Sequence, residues 1–168
     1  MDNPHEMKHP PHRPDDEHFM RLALERCAQG VAQGQSPFGA CIVRAGEPIA
    51  TDHNHVWRTT DPTAHAEIVA IRHACARLNA IHLEGATLYS TTEPCPMCFS
   101  AIHWARIERI VYAAAIEDAK SFGFNELPIS NAAMKSLSGS SIELVSDVLR
   151  DDALTLYRRW AEKRSTAY

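Results

Sequence analysis

Apolar residues recur at helical spacing near both ends of the chain. Between Asp15 and Ala32 they return every three or four positions, which predicts an amphipathic helix that Asp15 or Asp16 caps at its start. The same period from Val148 to about Lys163 predicts a second amphipathic helix near the C-terminus. Each helix therefore has one apolar face that the rest of the protein must cover.

Between these two helices the pattern alternates between strand and helix. Residues 38–43 predict a strand, Ala45-Gly46-Glu47 a hairpin turn, and residues 48–56 the partner strand. Further along, the pattern predicts two helices at 64–78 and 95–106 and three strands at 86–90, 110–113 and 142–145. It also predicts a helical turn at 116–122. The predicted core residues of the second of these helices are Met97, Ala101, Ile102 and Trp104. This alternation predicts an α/β sandwich with some parallel strand pairing.

The composition is that of one globular domain. The chain has 168 residues, of which 45% are apolar and 23% charged, and this is enough for a sizeable core. Residues 1–14 hold four prolines and three histidines and almost nothing to bury, so we expect a disordered tail there. Residues 15–168 would then form the single domain.

Charge and hydropathy argue against two classes of partner. The formal net charge of −4 argues against nucleic acid, which needs a basic surface to neutralise its phosphates. The chain has no apolar run long enough for a membrane span and no apolar segment near Met1 of the kind found in secretory signals. Five cysteines, an odd number, suit a reducing compartment, so we expect a cytoplasmic protein.

The candidate chemistry centres on Pro94-Cys95-Pro96-Met97-Cys98. Cysteines three positions apart share one face of a helix, so both sulfurs can bind a single ion. The prolines are tolerated at a helix N-terminus, and its positive end favours the thiolate that binds metal. His65 would be the third ligand. A zinc ion with three protein ligands keeps its fourth position for water, as catalytic zinc sites do.

Glu67 is predicted to act as a base and acid rather than as a ligand. Zinc lowers the pKa of a bound water to about 7, and a carboxylate beside the metal can then carry protons between water and substrate. His-x-Glu followed by Pro-Cys-x-x-Cys is the pattern of zinc-dependent nucleobase deaminases. Residues two apart on a regular helix diverge by roughly 200°. We therefore expect His65 and Glu67 at a first helical turn, where both can face the zinc.

A Cys-x-x-Cys pair alone is also typical of redox proteins and of structural zinc sites. A structural site needs a fourth Cys or His ligand. The remaining cysteines, Cys27, Cys41 and Cys75, lie in apolar stretches, and we interpret them as core thiols. A zinc-stabilised scaffold without activity is the less favoured interpretation, because it leaves Glu67 without a role.

Beyond the tail, the chain resembles the cytidine deaminase superfamily and, within it, the small bacterial guanine deaminases. The resemblance depends on segments spread over the sequence: 37–40, Asn54, 61–67, 93–98, 101–102, 104–106, 112–114, 123–124 and Tyr168. Gly123-Phe124 followed by an acidic position, together with a C-terminal tyrosine, resembles guanine deaminases more than tRNA adenosine deaminases. The resemblance implies a three-layer α/β/α sandwich around a mixed five-stranded sheet, in a homodimer.

The resemblance also implies roles for individual residues. One zinc ion per subunit would be held by His65, Cys95 and Cys98, with Glu67 shuttling protons. The residues that would contact the substrate have separate tasks. Phe38 would stack on a purine base, Asn54 would hydrogen-bond the ring, and the backbone of Ala66 would help fix it. Glu126 would lie near the leaving amine. The C-terminal segment is exchanged between subunits in that family, so Tyr168 would cover the active site of a partner subunit.

Two departures leave the substrate open. The family position of Glu126 usually holds Asp, and the longer side chain could be accommodated by a small loop shift or could change specificity. His55, beside Asn54, also differs, and it could be a second polar contact or a surface residue. The predicted reaction is hydrolytic deamination of guanine to xanthine. The alternatives are another aminopurine, a nucleoside such as guanosine or another amino-heterocycle, and less favoured is adenosine in tRNA.

Overall fold

A computed structural model describes residues 12–163 and 166–168. Its elements in chain order are α1 (Asp16–Ala32), β1 (Gly39–Arg44), β2 (Glu47–His53), α2 (Val56–Thr59), α3 (Ala66–Leu78), β3 (Ala86–Thr92), α4 (Pro96–Trp104), β4 (Arg109–Ala114), α5 (Ile116–Ser121), α6 (Asn131–Ser138), β5 (Glu143–Val145) and α7 (Arg150–Glu162). Most of the predicted tail, residues 1–11, lies outside the described residues. Within the described ranges, no helix combines the length and apolarity that a membrane crossing requires.

The strands form one mixed sheet in the order β2-β1-β3-β4-β5, which confirms the predicted five strands. Strand β1 pairs antiparallel with both β2 and β3, whereas β3, β4 and β5 run parallel. Parallel neighbours need crossover connections, and α4 makes the one between β3 and β4. The chain therefore leaves the end of β3 and enters α4 at the edge of the sheet where ligands bind in many α/β proteins.

Helices cover both faces of the sheet. Cys41 and Val43 of β1 point into a core shared with α1 and α7, whereas Ala40 and Ile42 point into a core shared with α3 and α4. Because successive strand residues face opposite sides, a strand covered on both faces must be apolar at nearly every position. This explains the unbroken apolar run of β1 and gives the three layers that the resemblance implied.

A buried ion pair joins α1 to the sheet. Arg109 in β4 is 2% exposed, and its two terminal nitrogens donate to the Asp16 carboxylate at 2.6 and 2.8 Å. Its Nε donates to Glu143 Oε1 at 2.7 Å, and the Tyr89 hydroxyl donates to Asp16 Oδ1 at 3.0 Å. Asp16 is the first residue of α1, and Asp15 at the N-cap makes no capping hydrogen bond. The acid predicted to cap a helix thus neutralises a buried guanidinium.

Some sequence predictions were wrong. Trp104 is 77% exposed rather than a core residue, because it lies two positions from the buried Ile102 and so faces nearly the opposite side of α4. Helices α2 and α6 were not predicted. Helix α6 is only eight residues long, and local signals define its ends: the Ser130 hydroxyl accepts from the amide of Ala133, and Gly139 ends it in the left-handed region.

Candidate active site

Two cysteines are placed by the start of α4. Cys95 is the N-cap residue, with extended backbone (φ −63°, ψ 167°), and Pro96 is the first helical residue. Cys98 then lies in the first turn and is fully buried. The first residue of a helix needs no amide donor, so proline is favoured at this position and fixes the start of α4. With the helix starting here, both sulfurs face the same side.

His65 reaches the same point from α3. It is the N-cap residue, with extended backbone (φ −63°, ψ 155°), and Glu67 lies inside the first turn. The irregular backbone at His65 removes the divergence that two helical residues two positions apart would show. His65 and Glu67 therefore lie at the beginning of a helix, as the sequence analysis required, and both line the same pocket.

The three donor atoms fit a zinc ion. Nδ1 of His65 lies 3.7 Å from Sγ of Cys95 and 3.6 Å from Sγ of Cys98, and all three atoms lie within 4.8 Å of one another. Tetrahedral zinc with nitrogen at about 2.0–2.1 Å and sulfur at about 2.3 Å separates nitrogen from sulfur by about 3.6 Å. The observed distances match this requirement, so these residues are suited to hold one zinc ion.

The surroundings favour a thiolate at Cys95. A hydrogen bond from the Cys98 thiol, opposed by burial and assisted by a hydrogen bond from His65, lowers the pKa of Cys95 to about 4. Burial and the neighbouring Cys95 sulfur raise the pKa of Cys98 in turn. The protein alone therefore supplies one thiolate, and a bound cation would supply the charge that ionises the second.

Two carboxylates face the pocket beside the three donors. Glu67 is buried, and Oε1 of Glu67 accepts a hydrogen bond from the Ser90 hydroxyl at 3.1 Å. Glu126 comes from the loop after α5 and lines the same pocket. Burial, reinforced by the negative charge of Cys95, raises the pKa of Glu126 to about 7. Burial also raises the pKa of Glu67.

Asn54 is fully buried directly after β2 and links three parts of the site. Its backbone amide donates to the carbonyl of Phe38 at 3.0 Å, and its side-chain oxygen accepts from the amide of Val56 at 3.1 Å. Its side-chain amide donates to the hydroxyl of Tyr168. The Phe38 ring contacts the Phe124 ring edge to face, with 4.8 Å between centroids. Ala66, also fully buried, lies between His65 and Glu67 in the sequence.

Tyr168 packs against site residues of its own chain in this structure. The Tyr168 ring lies 5.9 Å from the His65 ring and 5.7 Å from the Phe124 ring, centroid to centroid. Its backbone carbonyl accepts from the amide of Asn125 at 3.0 Å, next to Glu126. Five of the predicted site residues therefore line one small pocket: Phe38, His65, Glu67, Cys95 and Glu126. Cys98 and Tyr168 contact His65, Asn54 contacts Phe38 and Tyr168, and Ala66 lies next to His65 in the sequence. Exchange of the C-terminal segment between subunits stays a prediction.

The role of His55 as a link between Asp52 and Arg58 was not predicted from the sequence. Its ring is buried, Nε2 of His55 lies 2.7 Å from Oδ1 of Asp52, and Nδ1 lies 2.9 Å from a nitrogen of Arg58. An arginine only donates, so Nδ1 accepts and Nε2 carries the proton given to Asp52. Burial, together with the charge of Arg58, lowers the pKa of His55 against the opposing effect of Asp52. His55 is a neutral structural link, and only its position beside Asn54 could have suggested this.

Comparisons with known proteins agree with this geometry. Residues 13–114 match the cytidine and deoxycytidylate deaminase zinc-binding region. The chain is 47% identical over 111 residues to guanine deaminase of Bacillus subtilis, covering 66% of this chain and 71% of the relative. It is 34% identical over 155 residues to the tRNA-specific adenosine deaminase of the same organism, covering 90% and 94%.

A solved structure gives the same result for the fold. Guanine deaminase from Nitrosomonas europaea superposes with a TM-score of 0.81 at 31% identity, covering 90% of this chain and 86% of the other. The region that matches the family, residues 13–114, includes the zinc motifs at His65 and at Cys95 and Cys98. By its sequence, its fold and its donor set, the chain belongs to the cytidine and deoxycytidylate deaminase family and is a zinc-dependent deaminase.

Proposed function

We propose that this deaminase acts on guanine and releases xanthine and ammonia. The observation that carries the proposal is the packing of Tyr168 against the site, where it would cover a bound base: its hydroxyl accepts from Asn54 and its ring lies against His65. A free base needs no opening to the outside once it is bound, whereas a ribose or a polynucleotide must leave the pocket through this cover. Relatives at 47% identity include a guanine deaminase and a tRNA-specific adenosine deaminase, so sequence identity allows guanine without distinguishing it from adenosine in tRNA.

The pocket residues suit a flat, polar ring. The Phe38 ring is held in place by its contact with Phe124 and is available to stack on a purine. The Asn54 amide is oriented by Val56 and Tyr168, so its polar atoms can hydrogen-bond the ring edge without searching for a conformation. The buried backbone of Ala66 would hold the ring from the zinc side.

When bound, zinc lowers the pKa of a coordinated water to about 7 and so supplies a nucleophile at neutral pH. Glu67 moves the protons. Because Oε1 of Glu67 is engaged by Ser90, Oε2 is the oxygen that accepts a proton from water and delivers it to the ring nitrogen beside the reacting carbon. A new C–O bond forms at the carbon that bears the exocyclic amine.

Glu67 then transfers the second proton of the water to the amine, the C–N bond breaks, and ammonia leaves. Glu126 lines the same pocket and would hydrogen-bond the departing amine. Water and guanine together contain the atoms of xanthine and ammonia, so the reaction needs no further reactant. Guanine as substrate requires a small shift of the loop that carries Glu126, which would accommodate the extra methylene of glutamate.

The proposal is tested by ammonia release from purified, zinc-loaded protein. The panel contains guanine, guanosine, adenine, adenosine, cytosine, cytidine and small aminotriazines. Turnover of guanine far above the others is the expected result. Turnover of another member with guanine inert would overturn the substrate and leave the zinc chemistry intact, and Glu126 and His55 would then be exchanged first. One zinc per chain without any turnover would support the non-catalytic scaffold instead.

A tRNA adenosine deaminase is the second candidate, because such a relative aligns over 90% of this chain. Its substrate would have to displace Tyr168 from the pocket, and the net charge of −4 gives little attraction for phosphates. Inosine formation in tRNA, measured beside the base panel, decides between the two. Removal of residues 166–168 should weaken guanine turnover if the cover belongs to the site, and should increase tRNA editing if the cover merely blocks it.

We also propose that the protein is a homodimer. In this structure Tyr168 covers the pocket of its own chain, and Asn54 of the same chain is its partner. Light scattering with size-exclusion chromatography measures the mass in solution. A mixture of Glu67→Gln with a chain that lacks residues 166–168 would be more active than either variant alone only if chains associate and exchange the C-terminal segment.

A further inference from the structure

Glu93 lines the pocket but has no free oxygen for chemistry. It lies between β3 and α4, two residues before Cys95, and is only 5% exposed. Oε1 of Glu93 accepts the backbone amide of Asn131 at 2.7 Å, and Oε2 accepts the backbone amide of Ile116 at 3.3 Å. Both oxygens are thus used by the protein itself, which distinguishes Glu93 from the half-engaged Glu67 and from Glu126.

The two amides begin two different helices. Ile116 is the first residue of α5 and Asn131 is the first residue of α6. First-turn amides have no partner inside their own helix, and the positive end of a helix attracts a carboxylate. One buried side chain therefore satisfies orphan donors of two helices at once. Asn131 adds a second link, because its side-chain amide donates to the carbonyl of Pro94.

The segment between these helices forms one wall of the pocket. We call residues 122–130 the pocket loop; it runs from the end of α5 to the start of α6 and includes Phe124 and Glu126. Phe124 packs on Phe38, and the amide of Asn125 donates to the carbonyl of Tyr168. Within the loop, the amide of Ile129 donates to Leu127 at 2.7 Å. These contacts hold the middle of the loop, and its two ends are fixed where it leaves α5 and enters α6.

We propose that Glu93 is a positioning residue whose carboxylate ties the starts of α5 and α6 together and so sets where the pocket loop presents Glu126. His65 and Glu67 lie on α3, but Cys95 and Cys98 follow Glu93 on the same segment, so the zinc content of each variant is measured to separate an effect on the ligands from an effect on the loop. Its effect on turnover rests on the proposed guanine deamination. Its effect on the loop does not.

Glu93→Gln is the decisive variant. The glutamine oxygen can accept one of the two amides, but its NH2 group meets the other as donor against donor, so one helix start is released. Losing a buried hydrogen bond in this way corresponds to about a tenfold change in an opening equilibrium. Glu117→Gln is the matched control. Glu117 is an exposed carboxylate in the first turn of α5, and this substitution removes the same charge as Glu93→Gln.

Hydrogen exchange with mass spectrometry on zinc-loaded protein measures the loop directly. Peptides covering the pocket loop and Asn131 should exchange about tenfold faster in Glu93→Gln, with α1 and α7 unchanged, and Glu117→Gln should match wild type. Exchange at the wild-type rate in the loop overturns the proposal, as does an equal acceleration over the whole protein. If Glu93→Gln does not fold, Glu93→Asp decides, because it keeps the charge but is one methylene shorter and cannot reach both amides, so the loop peptides should again exchange faster than in wild type.

Kinetics supply the readout that a purely structural residue would not change. In Glu93→Gln, kcat for guanine should fall at least about tenfold beyond any loss of zinc-loaded protein. KM should change much less, because Asn54, bound to the amide of Val56, and the backbone of Ala66 lie outside the pocket loop. An unchanged kcat with a faster loop would overturn the link to Glu126. If wild-type protein does not deaminate guanine, the proposed function fails, and the exchange experiment still tests the loop.

Discussion

The buried pair of Asp16 and Arg109 allows one stability prediction to be worked in detail. Asp16→Asn keeps the shape of the side chain and removes its charge. The carboxylate accepts two hydrogen bonds from Arg109, one from the Tyr89 hydroxyl and one from the amide of Arg13. In asparagine, the oxygen can keep some of these bonds, but the NH2 group faces a donor where Oδ2 had been an acceptor.

The magnitude follows from burial. Removing one member of a buried ion pair costs about 3–5 kcal/mol, because the remaining charge is left in the interior. Glu143 still faces Nε of Arg109 at 2.7 Å and is itself partly exposed, so it and nearby water compensate in part. We therefore expect a loss of about 3 kcal/mol, at the lower end of this range. For a domain of this size the melting temperature should fall by roughly 6–12 °C.

The pH dependence gives an independent check with a definite sign. Burial alone would raise the pKa of Asp16, but hydrogen bonds and charge from Arg109 outweigh it and hold that pKa below its ordinary value. A carboxylate with a depressed pKa in the folded state stabilises the protein above its unfolded pKa of about 3.9. This stabilisation is lost as the pH falls through the folded-state pKa. Asp16→Asn should therefore differ most from wild type above about pH 4 and converge with it in more acidic solution.

Urea unfolding of zinc-loaded protein is followed by circular dichroism between pH 3 and 8. It gives the loss of unfolding free energy and its pH dependence with a precision of about 1 kcal/mol or better. The control is Asp15→Asn, since Asp15 is exposed and makes no capping bond. That variant should stay within about 0.5 kcal/mol of wild type. A change below about 1 kcal/mol for Asp16→Asn, or a pH slope identical to wild type, would refute the reasoning.

The remaining predictions concern the pocket. Glu67→Gln should lower kcat at least about 100-fold while plasma emission spectrometry still finds one zinc per chain, and loss of zinc would show that Glu67 is a ligand. Cys95→Ser should lose zinc and unfold at a lower temperature by scanning calorimetry, because metal binding is coupled to folding, whereas Cys75→Ser should keep its zinc. Tyr168→Phe removes the hydrogen bond to Asn54 but keeps the ring, so KM for guanine should rise by up to about tenfold with kcat little changed in initial-rate assays. A larger fall in kcat than rise in KM would mean that the hydroxyl acts in the reaction itself.

Local patterns determined most of the fold. The long amphipathic helices at both ends and the strands β1, β3 and β4 were predicted within a few residues, since their apolar spacing reflects the faces that they bury. The zinc donors were predicted because their spacing near two helix starts is a chemical requirement. Short elements were missed: α2 has four residues and α6 has eight, and over so few positions an apolar period is hard to distinguish from a loop.

Contacts between distant parts of the chain were decided only by the tertiary structure. The local pattern predicted that Asp15 or Asp16 caps a helix. In the structure, β4 brings Arg109 to Asp16 from 93 residues away in sequence, and Asp16 neutralises its charge. In the same way, Glu93 had no predicted role beyond its place in a motif, and only the structure shows that its carboxylate accepts the first amides of both α5 and α6. Residue types and spacing along the chain determine which chemistry is available. The packing of elements decides which charges are neutralised and which groups stay free to react, because burial and hydrogen-bond partners depend on neighbours that the local sequence does not contain.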